Sequence, residues 1–153
     1  MRLYILRHGR AEPYQAMDAS RALVATGQED VRQVVGRQRD NMPALRDVWV
    51  SPYVRARQSA EIARAVLELP ESCEYITDLI VPEARVDKLI AELYRSDLES
   101  VLLVSHQPLV STLLDTLCGV SEAHHMKTAS LAAVELEVVA ADMGRLLWIE
   151  HPS

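Results

Sequence analysis

The sequence predicts an α/β fold, a three-layer α/β/α sandwich around a mostly parallel central sheet. Short apolar runs typical of buried strands alternate with longer segments whose apolar residues recur at helical spacing. A turn signal, Asp142-Met143-Gly144, separates the last two apolar runs. This signal predicts a carboxyl-terminal hairpin that closes one edge of the sheet.

The elements follow from these patterns in chain order. Strands are predicted near residues 2–7, 47–51, 101–105, 130–139 and 144–150. Helices are predicted over residues 28–39, 52–67, 86–94 and from just after His106 to about residue 117. Pro52 and Pro108 are acceptable in a first helical turn, and Gly119 is suited to end the last helix.

Length and composition predict one domain covering residues 1–153, with 49% hydrophobic and 25% charged residues. A net charge of -6 argues against a nucleic-acid-binding protein, which would be expected to present a basic face. No apolar run approaches the length of a membrane span, and the first segment is typical of a core strand rather than a signal peptide. We therefore expect a cytoplasmic protein, monomeric and without membrane contact.

Charged residues follow three of the predicted strands. Arg7-His8-Gly9 ends the first strand, Ser51-Pro52 leads into a helix that carries Arg55, and Ser105-His106 follows the third strand. In open α/β sheets ligands bind just outside the carboxyl ends of strands. Imidazole can attack phosphorus as a neutral nucleophile, and guanidinium neutralises phosphoryl oxygens through its fork of donors. The pattern favours phosphate chemistry.

These sequence motifs resemble those of the histidine phosphatase superfamily, which has the phosphoglycerate mutase-like fold. Within it they resemble the small bacterial phosphohistidine phosphatases of the SixA type. The resemblance extends over nearly the whole chain and includes Arg7-His8-Gly9, the segments 18–27 and 51–59, and the segment 104–110. It implies that His8 is the nucleophile that becomes phosphorylated. Arg7, Arg55 and His106 are then the phosphate pocket.

The proposed chemistry has two in-line steps and is expected to need no metal or other cofactor. Two arginines and the amino termini of two helices supply the positive potential. His106 is expected to act protonated, with a neutral structural role as the alternative. Arg57 is expected to be solvated. Arg21 either touches phosphate or pairs with Asp18.

A general acid would donate a proton to the leaving group, and no sequence motif identifies one here. Glu83 is a candidate, and the alternative is a solvated carboxylate at a helix start. An alkoxide leaving group needs a strong proton donor, whereas an imidazole departs readily once its nitrogen is protonated. A site without a strong acid therefore suits phosphohistidine better than a sugar phosphate.

The chain also has too few residues between its core elements for a large lid, so we expect an open site. An open site can admit a histidine on a protein surface, and the expected partner is a His-phosphorylated phosphotransfer protein. The first alternative is a small-molecule phosphomonoesterase, for which Glu83 should matter. The second is a phosphate or phosphoprotein binding module without turnover.

Overall fold

The computed structural model describes residues 1–14 and 16–153, and its centre is a six-stranded sheet in the order β3-β2-β4-β1-β5-β6. The strands are β1 (Arg2–Arg7), β2 (Val48–Val50), β3 (Glu74–Ile76), β4 (Ser100–Ser105), β5 (Leu131–Leu136) and β6 (Gly144–Glu150). Strands β3, β2, β4 and β1 are parallel, and β5 and β6 form an antiparallel hairpin on the β1 side. The sheet is therefore mostly parallel, as predicted.

Four helices cover the two faces of this sheet: α1 (Ala25–Gln38), α2 (Val54–Leu67), α3 (Val86–Ser96) and α4 (Leu109–Cys118). Alternate residues of a strand point to opposite faces, so β1 contributes to two cores. Leu3 and Ile5 belong to the core under α3 and α4, whereas Tyr4 and Leu6 belong to the core under α1 and α2. The result is the predicted three-layer sandwich.

The boundaries differ from the predicted ones at several places. Helix α2 begins at Val54, so Pro52 lies before its first turn, and Pro108 is the residue that precedes α4. Strand β3 was not predicted, because Glu74–Ile76 is a short, largely exposed segment that its pairing with β2 places in the sheet. Strand β5 ends at Leu136 rather than at residue 139. Helix α1 begins at Ala25 rather than at residue 28, since Gly27 lies inside its first turn.

Close backbone packing explains the glycine in that turn. A Cβ atom on Gly27 would lie 2.1 Å from the carbonyl oxygen of Arg10. Gly27 thus allows the first turn of α1 to approach the loop that follows β1.

In the described ranges, no helix is both long enough and apolar enough to cross a membrane.

Candidate active site at the carboxyl edge of the sheet

Hydrogen bonds between neighbouring parallel strands bring the three predicted strand ends together. The His8 amide donates to the Ser105 carbonyl at 3.0 Å, and the Ser51 amide donates to the Val104 carbonyl at 3.1 Å. Strand β4 lies between β1 and β2 in the sheet, so the ends of all three strands meet at one edge. This edge is where an open α/β sheet binds its ligands.

The His8 ring has a defined hydrogen-bonding state. Its Nδ1 lies 2.7 Å from the Gly9 carbonyl oxygen, which can only accept, so Nδ1 carries the proton. Burial, with the nearby charges of Arg55 and Arg7, lowers the pKa of His8 to about 4 despite the opposing effect of the Gly9 carbonyl. The neutral ring therefore presents the lone pair of Nε2, which accepts from Arg55 Nε at 3.3 Å.

Gly9 is needed for the close packing behind the nucleophile. Its amide donates to Ser59 Oγ at 3.0 Å, and Ser59 Oγ donates to the Arg55 carbonyl at 2.8 Å. A Cβ atom on Gly9 would lie 2.5 Å from the Gly27 carbonyl oxygen. The loop after β1 is thus fixed against α1 and α2, which holds the His8 backbone in place.

Asp18 anchors Arg55 through two hydrogen bonds. Arg55 Nη1 donates to the Asp18 carbonyl at 2.8 Å, and Nη2 donates to Asp18 Oδ2 at 3.1 Å. Arg21 Nε donates to the other carboxylate oxygen at 2.7 Å, and Arg21 Nη1 donates to the Glu12 carbonyl at 2.9 Å. Partial burial acts to raise the pKa of the Asp18 carboxyl, but the two guanidinium groups outweigh it and hold that pKa below its ordinary value.

Arg7 lies at the other side of His8 and retains a free donor. Its Nη1 donates to the Met126 carbonyl at 2.9 Å, while its Nε is buried and has no hydrogen-bond partner among the residues that the structure describes. Burial, and secondarily the positive charge of Arg55, lowers the pKa of the Arg7 guanidinium. The positive charges of Arg7 and Arg55 therefore repel each other in a partly buried site. A bound anion would neutralise this positive charge.

In the free protein the His106 ring is neutral, whereas the protonated form was expected in a site that holds phosphate. The side chain is 1% exposed, and burial together with the charges of His8 and Arg55 lowers its pKa to about 2. No carboxylate hydrogen-bonds the ring to oppose this effect: Nε2 lies 2.7 Å from Ser51 Oγ, and Nδ1 has no partner within the described residues. The His106 ring centroid lies 5.1 Å from that of His8 and 4.8 Å from that of Tyr53.

Some of the amides at the starts of α2 and α4 are already hydrogen-bonded. The Val110 amide donates to the His106 carbonyl at 2.9 Å, and the Ser111 amide donates to Gln107 Oε1 at 3.1 Å. The amides of Ala56 and Arg57 both donate to the Tyr53 carbonyl. The amides of Val54, Arg55 and Leu109 donate to none of the described residues, so a role of these helix starts in binding an anion stays a prediction.

The structure brings together Arg7, His8, Arg55 and His106, and it links Arg21 to them through Asp18. Glu83 is exposed and forms no hydrogen bond or ion pair with the described residues, so no contact ties it to the site. Arg57 is exposed, as predicted.

Sequence reasoning missed two residues of the site. Asp18 was considered only as a partner of Arg21, and Ser51 only as the end of a strand. Ser51 could have been found because it lies in segment 51–59, one of the segments that resemble the family. For the pairing of Asp18 with Arg55, which lies 37 positions along the chain, the sequence carries no local signal.

A cavity of about 490 Å³ adjoins Arg7. Its lining includes Gln107 and a hydrogen-bonded pair, Asp115 and His124, in which Oδ1 of the carboxylate lies 2.6 Å from Nδ1 of the ring. The segment around His124-His125 is a loop, as predicted. Of the four site residues, Arg7 alone lines this cavity, so the space lies on the Arg7 side of the site.

Comparisons with known proteins agree with this geometry. A model of the histidine phosphatase superfamily (branch 1) matches residues 3–80. The chain is 31% identical over 139 residues to phosphohistidine phosphatase SixA of Escherichia coli strain K12, which covers 90% of this chain and 86% of that protein. It is 29% identical over 130 residues to a SixA homolog of Haemophilus influenzae, with 78% of each chain covered.

The fold is also shared with solved structures. A structure of the protein histidine phosphatase SixA complexed with tungstate matches with a TM-score of 0.88 and 30% identity, covering 99% of this chain and 97% of that one. The match confirms the phosphoglycerate mutase-like fold. Since the family model covers just over half of the chain and the E. coli relative most of it, the protein belongs to the histidine phosphatase superfamily (branch 1).

Proposed function

We propose that this protein hydrolyses phosphohistidine on a phosphotransfer protein through a phospho-His8 intermediate. The observation that carries the proposal is the neutral His8 ring, whose Nδ1–H is bonded to the Gly9 carbonyl and whose Nε2 lone pair faces Arg55. Only a deprotonated ring nitrogen can attack phosphorus. The SixA name of the E. coli and H. influenzae relatives supports phosphohistidine as the substrate.

The first step transfers the phosphoryl group to the enzyme. His8 Nε2 attacks phosphorus, a new N–P bond forms, and the bond from phosphorus to the substrate imidazole breaks. The leaving imidazole keeps the bonding electron pair. It departs neutral because the other nitrogen of the substrate ring carries a proton. Arg55 and Arg7 donate to the equatorial phosphoryl oxygens as charge develops there.

The second step returns the enzyme to its starting state. Water attacks the phosphorus of phospho-His8, the N–P bond breaks, and inorganic phosphate leaves. The same arginines hold the phosphoryl oxygens, and His8 regains its lone pair at Nε2. All groups used in both steps are side chains already gathered at this edge of the sheet.

The surroundings of Glu83 support phosphohistidine over an alkyl phosphate ester. Glu83, the candidate acid, is exposed and forms no hydrogen bond or ion pair with the described residues, and an imidazole needs less acid assistance than an alkoxide. The cavity of about 490 Å³ beside Arg7 offers room for a substrate group of either kind.

Loss of label from a His-phosphorylated phosphotransfer protein tests the proposal, with an aryl phosphate and an alkyl phosphate measured alongside. The wild-type protein should remove the label rapidly without added metal, and His8→Asn should lower the rate by about 10⁴-fold or more. Acid-labile phosphate should be trapped on the wild-type chain and be missing from His8→Asn. The thermal unfolding midpoint of both proteins controls for folding.

The three possible outcomes separate the candidate functions. His8-dependent loss of label from the protein supports the proposal. Turnover confined to the small phosphates contradicts it and favours a small-molecule phosphomonoesterase. Phosphate binding without any turnover favours a binding module.

A further inference from the structure

Ser51 and His106 form a buried pair behind the phosphate side of the site. Ser51 is fully buried, His106 is 1% exposed, and their Oγ and Nε2 atoms lie 2.7 Å apart. The other ring nitrogen, Nδ1, is also buried, and no partner for it exists among residues 1–14 and 16–153. The direction of the Ser51 bond decides which nitrogen of His106 carries the hydrogen.

The hydrogen-bonding needs of Ser51 fix that direction. Its Oγ accepts from the Tyr53 amide at 3.4 Å, and within the described chain the only other group bonded to it is the His106 ring. A buried hydroxyl has one hydrogen to place, and an unplaced hydrogen costs about 1–3 kcal/mol. Ser51 therefore donates to Nε2, because no other acceptor is available to it.

The hydrogen of the neutral ring is then on Nδ1. A neutral imidazole carries a single N–H, so a ring that accepts at Nε2 donates at Nδ1. This donor is buried and unpartnered, and its ring lies beside the His8 ring that receives the phosphoryl group in the proposed function. A phosphoryl oxygen is the acceptor that such a site would bring.

We propose that Ser51 is a positioning residue that holds His106 in the Nδ1–H form, so that a neutral ring donates a hydrogen bond to a phosphoryl oxygen. The proposal rests on phosphate occupying this site, as in the proposed function, but not on the identity of the leaving group. It gives His106 a role as a neutral donor, where the sequence indicated a cation.

The hydrogen positions of the His106 ring are directly measurable. Two-bond ¹H–¹⁵N correlation spectra of the free protein at pH 7 distinguish a protonated from an unprotonated ring nitrogen, and His106→Gln assigns the signals. We expect a protonated Nδ1 and an unprotonated Nε2 in the wild type. Adding inorganic phosphate should shift the Nδ1–H proton downfield, as a new hydrogen bond does.

Ser51→Ala removes the hydroxyl, and Ser105→Ala is its matched control. Ser105 is a buried strand-end serine next to His106, but its hydroxyl donates to the Ile80 carbonyl at 2.6 Å and touches no ring. Ser51→Ala should populate the Nε2–H form and lower kcat about 10- to 100-fold with a smaller change in KM. Ser105→Ala should keep the Nδ1–H form, and Ser51→Cys should recover part of the loss.

Several results would overturn the proposal. A wild-type ring with its hydrogen on Nε2 would do so, and so would an Nδ1–H signal that phosphate leaves unchanged. A Ser51→Ala protein with the wild-type spectrum and kcat would do so as well. The spectra need no substrate, so they stand even where Ser51→Ala fails to fold, and an aryl phosphate replaces the phosphoprotein in the kinetics if the proposed substrate proves wrong.

Discussion

The two sides of the site differ in how fully their donors are already used. On the Arg55 side, Nη1 and Nη2 bond to Asp18 and Nε bonds to His8. On the His106 side, His106 Nδ1 and Arg7 Nε are buried without partners among the described residues. Arg55 uses three of its five N–H donors in the protein's own hydrogen bonds, whereas the two buried donors on the other side make none.

This difference gives the two sides different parts in the proposed reaction. Each unpartnered buried donor costs about 1–3 kcal/mol, which a bound phosphoryl group would return as binding energy. Arg55 is poised differently, since its Nε–H occupies the His8 lone pair that must attack phosphorus. This bond has to break before Nε2 can attack phosphorus.

Among variants that keep the nucleophile His8, the largest loss of activity is expected from a change on the Arg55 side. Arg55→Lys keeps the charge but loses the planar fork that contacts Asp18 and His8 together. We expect kcat/KM for the phosphohistidine protein to fall about 10²- to 10³-fold. The control is Arg57→Lys, an exposed position on the same helix, which should change kcat/KM by less than about twofold. A loss below tenfold in Arg55→Lys would show that its fork is dispensable.

Acid pH should destabilise the protein through both buried histidines. Both rings have folded-state pKa values below the ordinary 6.5, at about 4 for His8 and about 2 for His106. The unfolded rings bind protons first as the pH falls, so stability is present above about pH 6.5 and is lost below it. Each ring should lower the free energy of unfolding by about 1.4 kcal/mol per pH unit, or about 3 kcal/mol by pH 4.

Urea unfolding of the wild type and His106→Gln at pH 7, 5.5 and 4 measures this effect. Carboxylates also titrate in this range, and the difference between the two proteins removes their contribution. The variant should lose about 3 kcal/mol less than the wild type between pH 7 and pH 4. Equal losses in both proteins would mean that His106 titrates at its ordinary pKa and that its side of the site is not desolvated.

The four central residues were predictable because each lies in or just after a recognisable local pattern. Arg7, His8 and His106 follow apolar strands, and Arg55 follows the Ser51-Pro52 helix start. The neutral state of His106 in the free protein was not predictable, because it depends on burial by residues that are distant in the sequence. The short strand β3 was missed for a similar reason, since its pairing with β2 places it in the sheet.

The contact of Asp18 with Arg55 was also not predictable from the sequence. Replacing Asp18 tests how far the Arg55 side depends on this contact. Asp18→Asn keeps the side-chain volume and the backbone carbonyl that binds Arg55 Nη1, but it removes the charge between Arg55 and Arg21. We expect kcat/KM to fall about tenfold because Arg55 is less firmly oriented. Asp87→Asn is the control, since Asp87 forms an ion pair with Arg85 on an exposed part of α3 and should leave kcat/KM unchanged. A wild-type rate in Asp18→Asn would mean that the backbone carbonyl alone orients Arg55.

The smallest expected effect concerns Glu83, which belongs to neither side. Its exposed carboxylate forms no hydrogen bond or ion pair with the described residues, and a leaving imidazole needs little acid assistance. Glu83→Gln should therefore change kcat for the phosphohistidine protein by less than about twofold, and the ratio of aryl to alkyl phosphate turnover should stay the same. A loss above tenfold that is greater for the alkyl ester would identify Glu83 as the proton donor. It would then favour a phosphomonoesterase, because an alkoxide depends on that proton far more than an imidazole does.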